Sequence, residues 1–181
     1  GELLKIKKDF SGAMDLYLKA FSLEPSRYEL LDTAGRFALQ LNDYNKSKSI
    51  YKQLSETIPN EERYLFIYID LISKSKSYIE GIEHVESLNK QYGETAVRNL
   101  QLGLLHYRSG DTDKGLFLIE TSINEIPQNI ENYFSLFEIY IDIESYNKAE
   151  SLSDRLITNF PDDWRGYYSR CIVYMNQNNY R

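Results

Sequence analysis

The sequence predicts an all-α protein built from stacked helix-turn-helix units. Three observations carry this expectation. Helix-ending residues recur every 34 positions, small and apolar residues fall in columns with the same step, and apolar residues inside each period have helical spacing.

The comb of helix-ending residues is Pro25, Pro59, Gly93, Pro127 and Pro161, each 34 from the next. Pro lacks a backbone N–H and Gly accepts positive φ at a helix end, so either can fill the same slot. Phe10, Tyr44, Tyr78, Tyr146 and Tyr180 form an aromatic column on this step, with Thr112 at the remaining place. Leu3, Phe37, Leu71, Leu105, Ile139 and Val173 are apolar throughout. Ala13, Ser47, Gly81, Gly115 and Ala149 are small, which lets two helices approach closely. A further column holds Gly1, Gly35 and Gly103, with Ile69, Phe137 and Cys171 at its other places. Leu31, Ala34, Gly35 and Ala38 sit at i, i+3, i+4, i+7, the stripe of a helix with one buried face, and Ser47, Tyr51, Leu54 and Ser55 form a weaker one. Asn42-Asp43 and Gly110-Asp111 interrupt the runs and start the next helix.

These residues resemble the tetratricopeptide repeat family. Its pattern is an aromatic, Leu-Gly and Tyr in a first helix, then Ala-x3-Phe and Pro in a second. Ala13, Tyr17, Ala20 and Pro25 match it, as do Gly35, Tyr44, Tyr51 and Pro59. So do Leu102-Gly103 with Pro127, and Tyr133, Leu136, Tyr140, Ala149 and Pro161. The resemblance spans the whole chain and implies a right-handed α-solenoid. Its units would be residues 1–27 (partial), 28–61, 62–95, 96–129, 130–163 and 164–181, the last a first helix only. In this register both ends resemble cuts in a longer array. Ile69 stands where glycine is usual, so the two helices of its unit are expected further apart. His106 replaces a tyrosine and Asn99 an aromatic.

Column membership predicts that Ala13, Tyr17, Tyr44, Leu71, Leu105, Tyr146 and Ala149 are buried between helices. With 16 tyrosines the core is aromatic with polar tips, and each buried phenol needs a hydrogen-bond partner. The segment from Trp164 to about Asn176 is expected to be a helix covering the preceding pair.

Composition narrows function. A net charge of −6 and a pI of about 5.1 argue against a nucleic-acid ligand, which needs a cationic surface. No run approaches the roughly 18 apolar residues of a membrane span. The single Cys171 allows no intrachain disulfide and suits cytosol and periplasm alike. Its column predicts a buried, inert thiol. His106 falls on a core-facing column and reads as structural. His84 has no second histidine or cysteine at ligand spacing. No phosphate-binding loop, serine elbow or zinc spacing is present, so no catalytic residue, cofactor or metal is expected.

What the resemblance implies is a groove lined by first helices that takes a protein or peptide. The first column facing it is Phe66, Leu100, Phe134 and Tyr168; one turn on are Asp70, Leu104, Glu138 and Ile172. Lys74, Arg108, Asp142 and Asn176 follow, and Arg36 belongs to the same face. Some family members clamp a C-terminal carboxylate with Lys, Arg and Asn. Here those places hold Asp32, Arg36, Phe66, Ile67 and Asp70, which disfavours such a clamp. Residues 1–58 carry nine Lys/Arg against eight Asp/Glu, whereas residues 59–181 carry 12 against 19. Glu131, Glu138 and Asp142 cluster by Phe134, so the expected partner segment has apolar anchors and nearby Lys or Arg. The leading expectation is a non-enzymatic scaffold. The alternatives are the recruiting part of a larger enzyme and an array that associates with itself.

Overall fold

The computed structural model describes residues 10–178. Gly1, Leu3, Leu4, Asn179, Tyr180 and Arg181, assigned above to columns and ends, lie outside the described residues. Within them the chain forms ten α-helices and no strand. They fall in two compact units, residues 1–94 and 95–181. The first holds α1 (Phe10–Leu23), α2 (Tyr28–Gln40), α3 (Tyr44–Thr57), α4 (Glu62–Ser75) and α5 (Tyr78–Tyr92). The second holds α6 (Ala96–Ser109), α7 (Thr112–Glu125), α8 (Ile130–Asp142), α9 (Tyr146–Asn159) and α10 (Trp164–Asn178). No described helix is long and apolar enough to cross a membrane.

Each turn inside a helix pair is built the same way. Asn42, Lys76, Gly110 and Glu144, again 34 apart, all have left-handed backbones, with φ of 59°, 55°, 98° and 57°. Reversing direction in so few residues requires this conformation, which L-residues adopt at a cost and glycine freely. The residue that follows opens the next helix. Asp43 accepts a hydrogen bond from the Lys46 N–H at 3.0 Å, and Asp111 accepts from the Lys114 N–H at 3.4 Å. Such caps satisfy backbone donors that the helix leaves unpaired.

In the first unit Leu31, Ala34 and Ala38 of α2 bury with Ile50, Tyr51 and Leu54 of α3, and the core continues through Tyr64, Leu65, Tyr68 and Ile72 of α4. The phenols find the partners that burial demands. Tyr51 Oη donates to Asp32 at 3.1 Å, and Tyr68 Oη to Glu80 at 3.3 Å. In the second unit one cluster joins Ile119 and Ile123 of α7, Tyr133, Leu136 and Tyr140 of α8, Ala149, Leu152 and Leu156 of α9, and Val173 of α10. There Tyr140 Oη donates to Glu120 at 2.6 Å.

The glycine columns set how closely helices approach. A Cβ added at Gly115 would lie 2.6 Å from the Tyr107 nitrogen, and one at Gly103 would lie 2.9 Å from the Gly115 carbonyl oxygen. The α6 and α7 backbones therefore touch where these two glycines cross. With Ile69 in the equivalent place, α4 and α5 make far fewer close backbone approaches, as expected. α10 packs on α9, with Gly166 against the Ile157 backbone and Val173 fully buried.

Burial follows the columns with corrections. Leu71, Leu105 and Ala149 are buried, and Ala13 and Tyr146 are partly so. Tyr44 is 50% exposed and Tyr17 36%. Tyr44 is the first residue of its helix, and its hydroxyl bonds to Asn42 at 2.9 Å instead of entering the core. Tyr17 leans on Phe37 with ring centroids 5.8 Å apart and keeps the rest of its exposed surface in solvent. Cys171 is exposed, not buried. It lies on α10, the last described helix, whose face there no described helix covers.

Candidate functional site

In the first unit the groove residues are neutralised by their own neighbours. Arg36 pairs with the buried carboxylate of Asp32 at 2.7 Å, and Lys74 with Asp70 at 2.6 Å. Arg63 also reaches Asp32, at 3.7 Å. Opposite charges four residues apart on a helix meet in this way by geometry alone. Phe66 is exposed beside them.

The second unit is different. Phe134, Phe137, Ile141, Tyr168 and Ile172 line an open cavity of about 340 Å³ between α8 and α10, edged by Glu138 and Asp142. Phe137 is buried and stacks on Phe134 with centroids 6.1 Å apart, forming the floor. Phe134 and Tyr168, whose rings are 6.5 Å apart, form the rim, and Trp164 packs edge-on to Tyr168. A second recess of about 210 Å³, lined by Leu104, Tyr107, Arg108, Ser135 and Ile139, shares both acids. Burial and the Asp142 carboxylate push the Tyr107 hydroxyl above its ordinary pKa.

Of the predicted residues in this unit, Leu104, Arg108, Phe134, Glu138, Asp142 and Tyr168 line one recess or the other. Leu100 does not: at 4% exposure it belongs to the core cluster with residues of α7, α8 and α9. Glu131 also leaves the acidic group, since Arg165 pairs with it and with Asp163. Phe137 and Ile141 were not anticipated. The signal for Phe137 was its column: a large ring where Gly35 and Gly103 stand cannot sit in a tight helix crossing.

Sequence reasoning also missed a serine, a histidine and a glutamate in the first unit. Ser55 Oγ is 2.8 Å from His84 Nε2, and His84 Nδ1 is 3.5 Å from Glu56. Hydrolytic triads use the same residue types, yet this arrangement is not built for nucleophilic attack. Ser55 is 2% exposed and His84 4%. The Lys52 carbonyl, 2.7 Å from Ser55 Oγ, also competes for its single proton. Burial first, and Lys52 second, depress His84 to about 4, so it is neutral at pH 7. It packs edge-on to Tyr68 at 4.6 Å as a core residue. His106 is also buried, with Nδ1 3.3 Å from Asp111. Among the described residues no three His, Cys, Asp or Glu side chains converge as a metal site requires.

No protein-family model matches the chain, and no curated protein matches it. Solved structures do. A thermophilic TPR protein from Thermus thermophilus is 16% identical with a TM-score of 0.66, covering 92% of this chain and 91% of that one. MamA, from residue 41 to the end, of Desulfovibrio magneticus RS-1 is 16% identical with a TM-score of 0.62, covering 84% and 86%. YrrB, described as a TPR protein with an unusual peptide-binding site, is 16% identical with a TM-score of 0.60, covering 89% and 83%.

Proposed function

From the premise that this chain has the tetratricopeptide-repeat fold, we propose that it is a non-catalytic scaffold and that the groove between α8 and α10 seats a partner protein or peptide. The observation that carries this is the groove itself: two partly exposed rings, Phe134 and Tyr168, over a buried aromatic floor, with charged residues only along one edge. Apolar recesses with a few polar groups at the margin suit anchored side chains. A neighbour of the same fold is described by its peptide-binding site, a use compatible with this reading.

The test is hydrogen exchange with a ligand selected from a random 12-residue peptide display library. The bound peptide is expected to slow exchange in residues 134–142 and 168–172 and to leave α7 unchanged. Protection confined to α7 or α9 would overturn the assignment. Self-association is a second reading. It is favoured by Tyr167, Tyr174 and Met175, which stand exposed on α10. Sedimentation at several concentrations separates the two.

A further inference from the structure

We propose that this groove selects a polypeptide segment carrying a Lys or Arg within about one helical turn of its apolar anchor, the cation sitting between Glu138 and Asp142. The inference rests on the groove being the partner seat and concerns which segment enters it.

Glu138 and Asp142 are four residues apart on α8, so they share a face and repel one another. No cation of the described residues forms an ion pair with either. Asp142 shares its recess with the neutral phenol of Tyr107 and with the Arg108 guanidinium.

Several other acids of the same unit are matched. Glu120 pairs with Lys148, Glu131 and Asp163 with Arg165, and Glu150 and Asp154 with Arg170. In the first unit, Asp70 is matched by Lys74 four residues on. One repeat on, Asp70 and Lys74 become Leu104 and Arg108, and two repeats on they become Glu138 and Asp142, so the column gives the second acid no cation on its own helix; Arg108 lines the neighbouring recess. The unmatched pair also borders the apolar lining of Phe134, Ile141 and Tyr168. A basic side chain beside an apolar anchor meets both features together. An acidic segment would add a third negative charge to the two already there, and a neutral one would leave the pair unmatched.

The probes are synthetic 12-residue peptides with one Trp or Leu anchor. A single Lys, norleucine or Glu is scanned from one to four positions away. At low salt the Lys peptide is expected to bind about three- to ten-fold more tightly than its norleucine counterpart at the best position. The Glu peptide is expected to bind more weakly than either. The Lys advantage should shrink toward about two-fold or less near 0.5 M salt, where screening is short-ranged. Glu138→Lys with Asp142→Lys should reverse the order and favour the Glu peptide. The control is Asp113→Lys with Asp162→Lys, which changes net charge equally but alters exposed residues outside the groove. It should leave the order intact.

If the control reverses the order as well, the effect belongs to the protein's net charge and the inference fails. If Lys and norleucine peptides bind alike while Phe134→Ala weakens both, the inference fails and the groove stands as the seat. If no anchored peptide binds at this face, the reading of the groove fails first. If the chain binds only its own copies there, the occupant named here is wrong. Circular dichroism on each variant confirms that binding changes are not unfolding.

Discussion

A Gly115→Val chain is expected to lose at least about 3 kcal/mol of stability, because the first β-carbon has nowhere to go. It would stand 2.6 Å from the Tyr107 nitrogen and 2.9 Å from the Gly103 carbonyl oxygen. Both are backbone atoms of α6, so relief requires the helices to separate and a buried crossing to open. The two methyl groups beyond it make the overlap worse. Gly110 supplies the comparison. Its backbone is left-handed, with φ +98°, and nothing lies within 4 Å of an added Cβ, so Gly110→Ala carries only the cost of a left-handed residue, about 1 kcal/mol. Urea unfolding of both variants checks this. A Gly115→Val chain within about 1 kcal/mol of the parent would show that α6 and α7 do not cross at these glycines.

The second large effect is a pH dependence centred on His84. Burial holds its folded value near 4, against about 6.5 for an exposed imidazole. The folded state therefore binds this proton less tightly than the unfolded chain does. Above about pH 6.5 the contribution is complete. It falls as the pH drops from there toward 4 and stays constant below, for a total of roughly 3 kcal/mol. The groups around the ring are Ser55, Lys52 and Glu56 of α3, Tyr68 of α4 and Glu80 of its own helix. Glu80 partly opposes the shift. Carboxylates elsewhere also lose stabilising pairs in acid, so the comparison chain is His84→Gln, which can still hydrogen-bond Ser55. The stability difference between parent and variant should narrow or change sign from pH 7 to 4 by about that amount. A difference independent of pH would mean that His84 stays accessible to protons.

The repeat was legible because it is written in residues whose effect is local. Pro ends a helix and Gly permits a left-handed turn in any surroundings, so the column of Pro25 and Pro59, and the turn at Gly110, could be read without a structure, whereas the left-handed turns at Lys76 and Glu144 could not. Burial was less so. Tyr44 and Leu71 both sit in regular columns. Yet Tyr44 opens a helix and leaves the core, while Leu71 is buried mid-helix. Leu100 and Phe134 share one column and still separate. One turns into the core and the other to the groove, according to what the facing helix offers. Charge matching was not legible. Arg165 reaches Glu131 across 34 residues, and Lys48 reaches Glu80 across 32, and only the folded arrangement reveals which acids remain unmatched.

The groove between α8 and α10 as a polypeptide seat is tested most directly by titrating one library-selected peptide into three chains. These are the parent, Phe134→Ala and Phe117→Ala. Phe117 is the control because it is the more exposed aromatic and lies on α7, outside the lining of the groove. Removing a ring that anchors a ligand is expected to weaken binding by about ten-fold or more, while removing an uninvolved exposed ring changes it by less than about two-fold. Loss of affinity in Phe134→Ala alone, with its fold intact, is the predicted result. Equal affinity in all three chains, or loss in Phe117→Ala alone, would contradict the assignment.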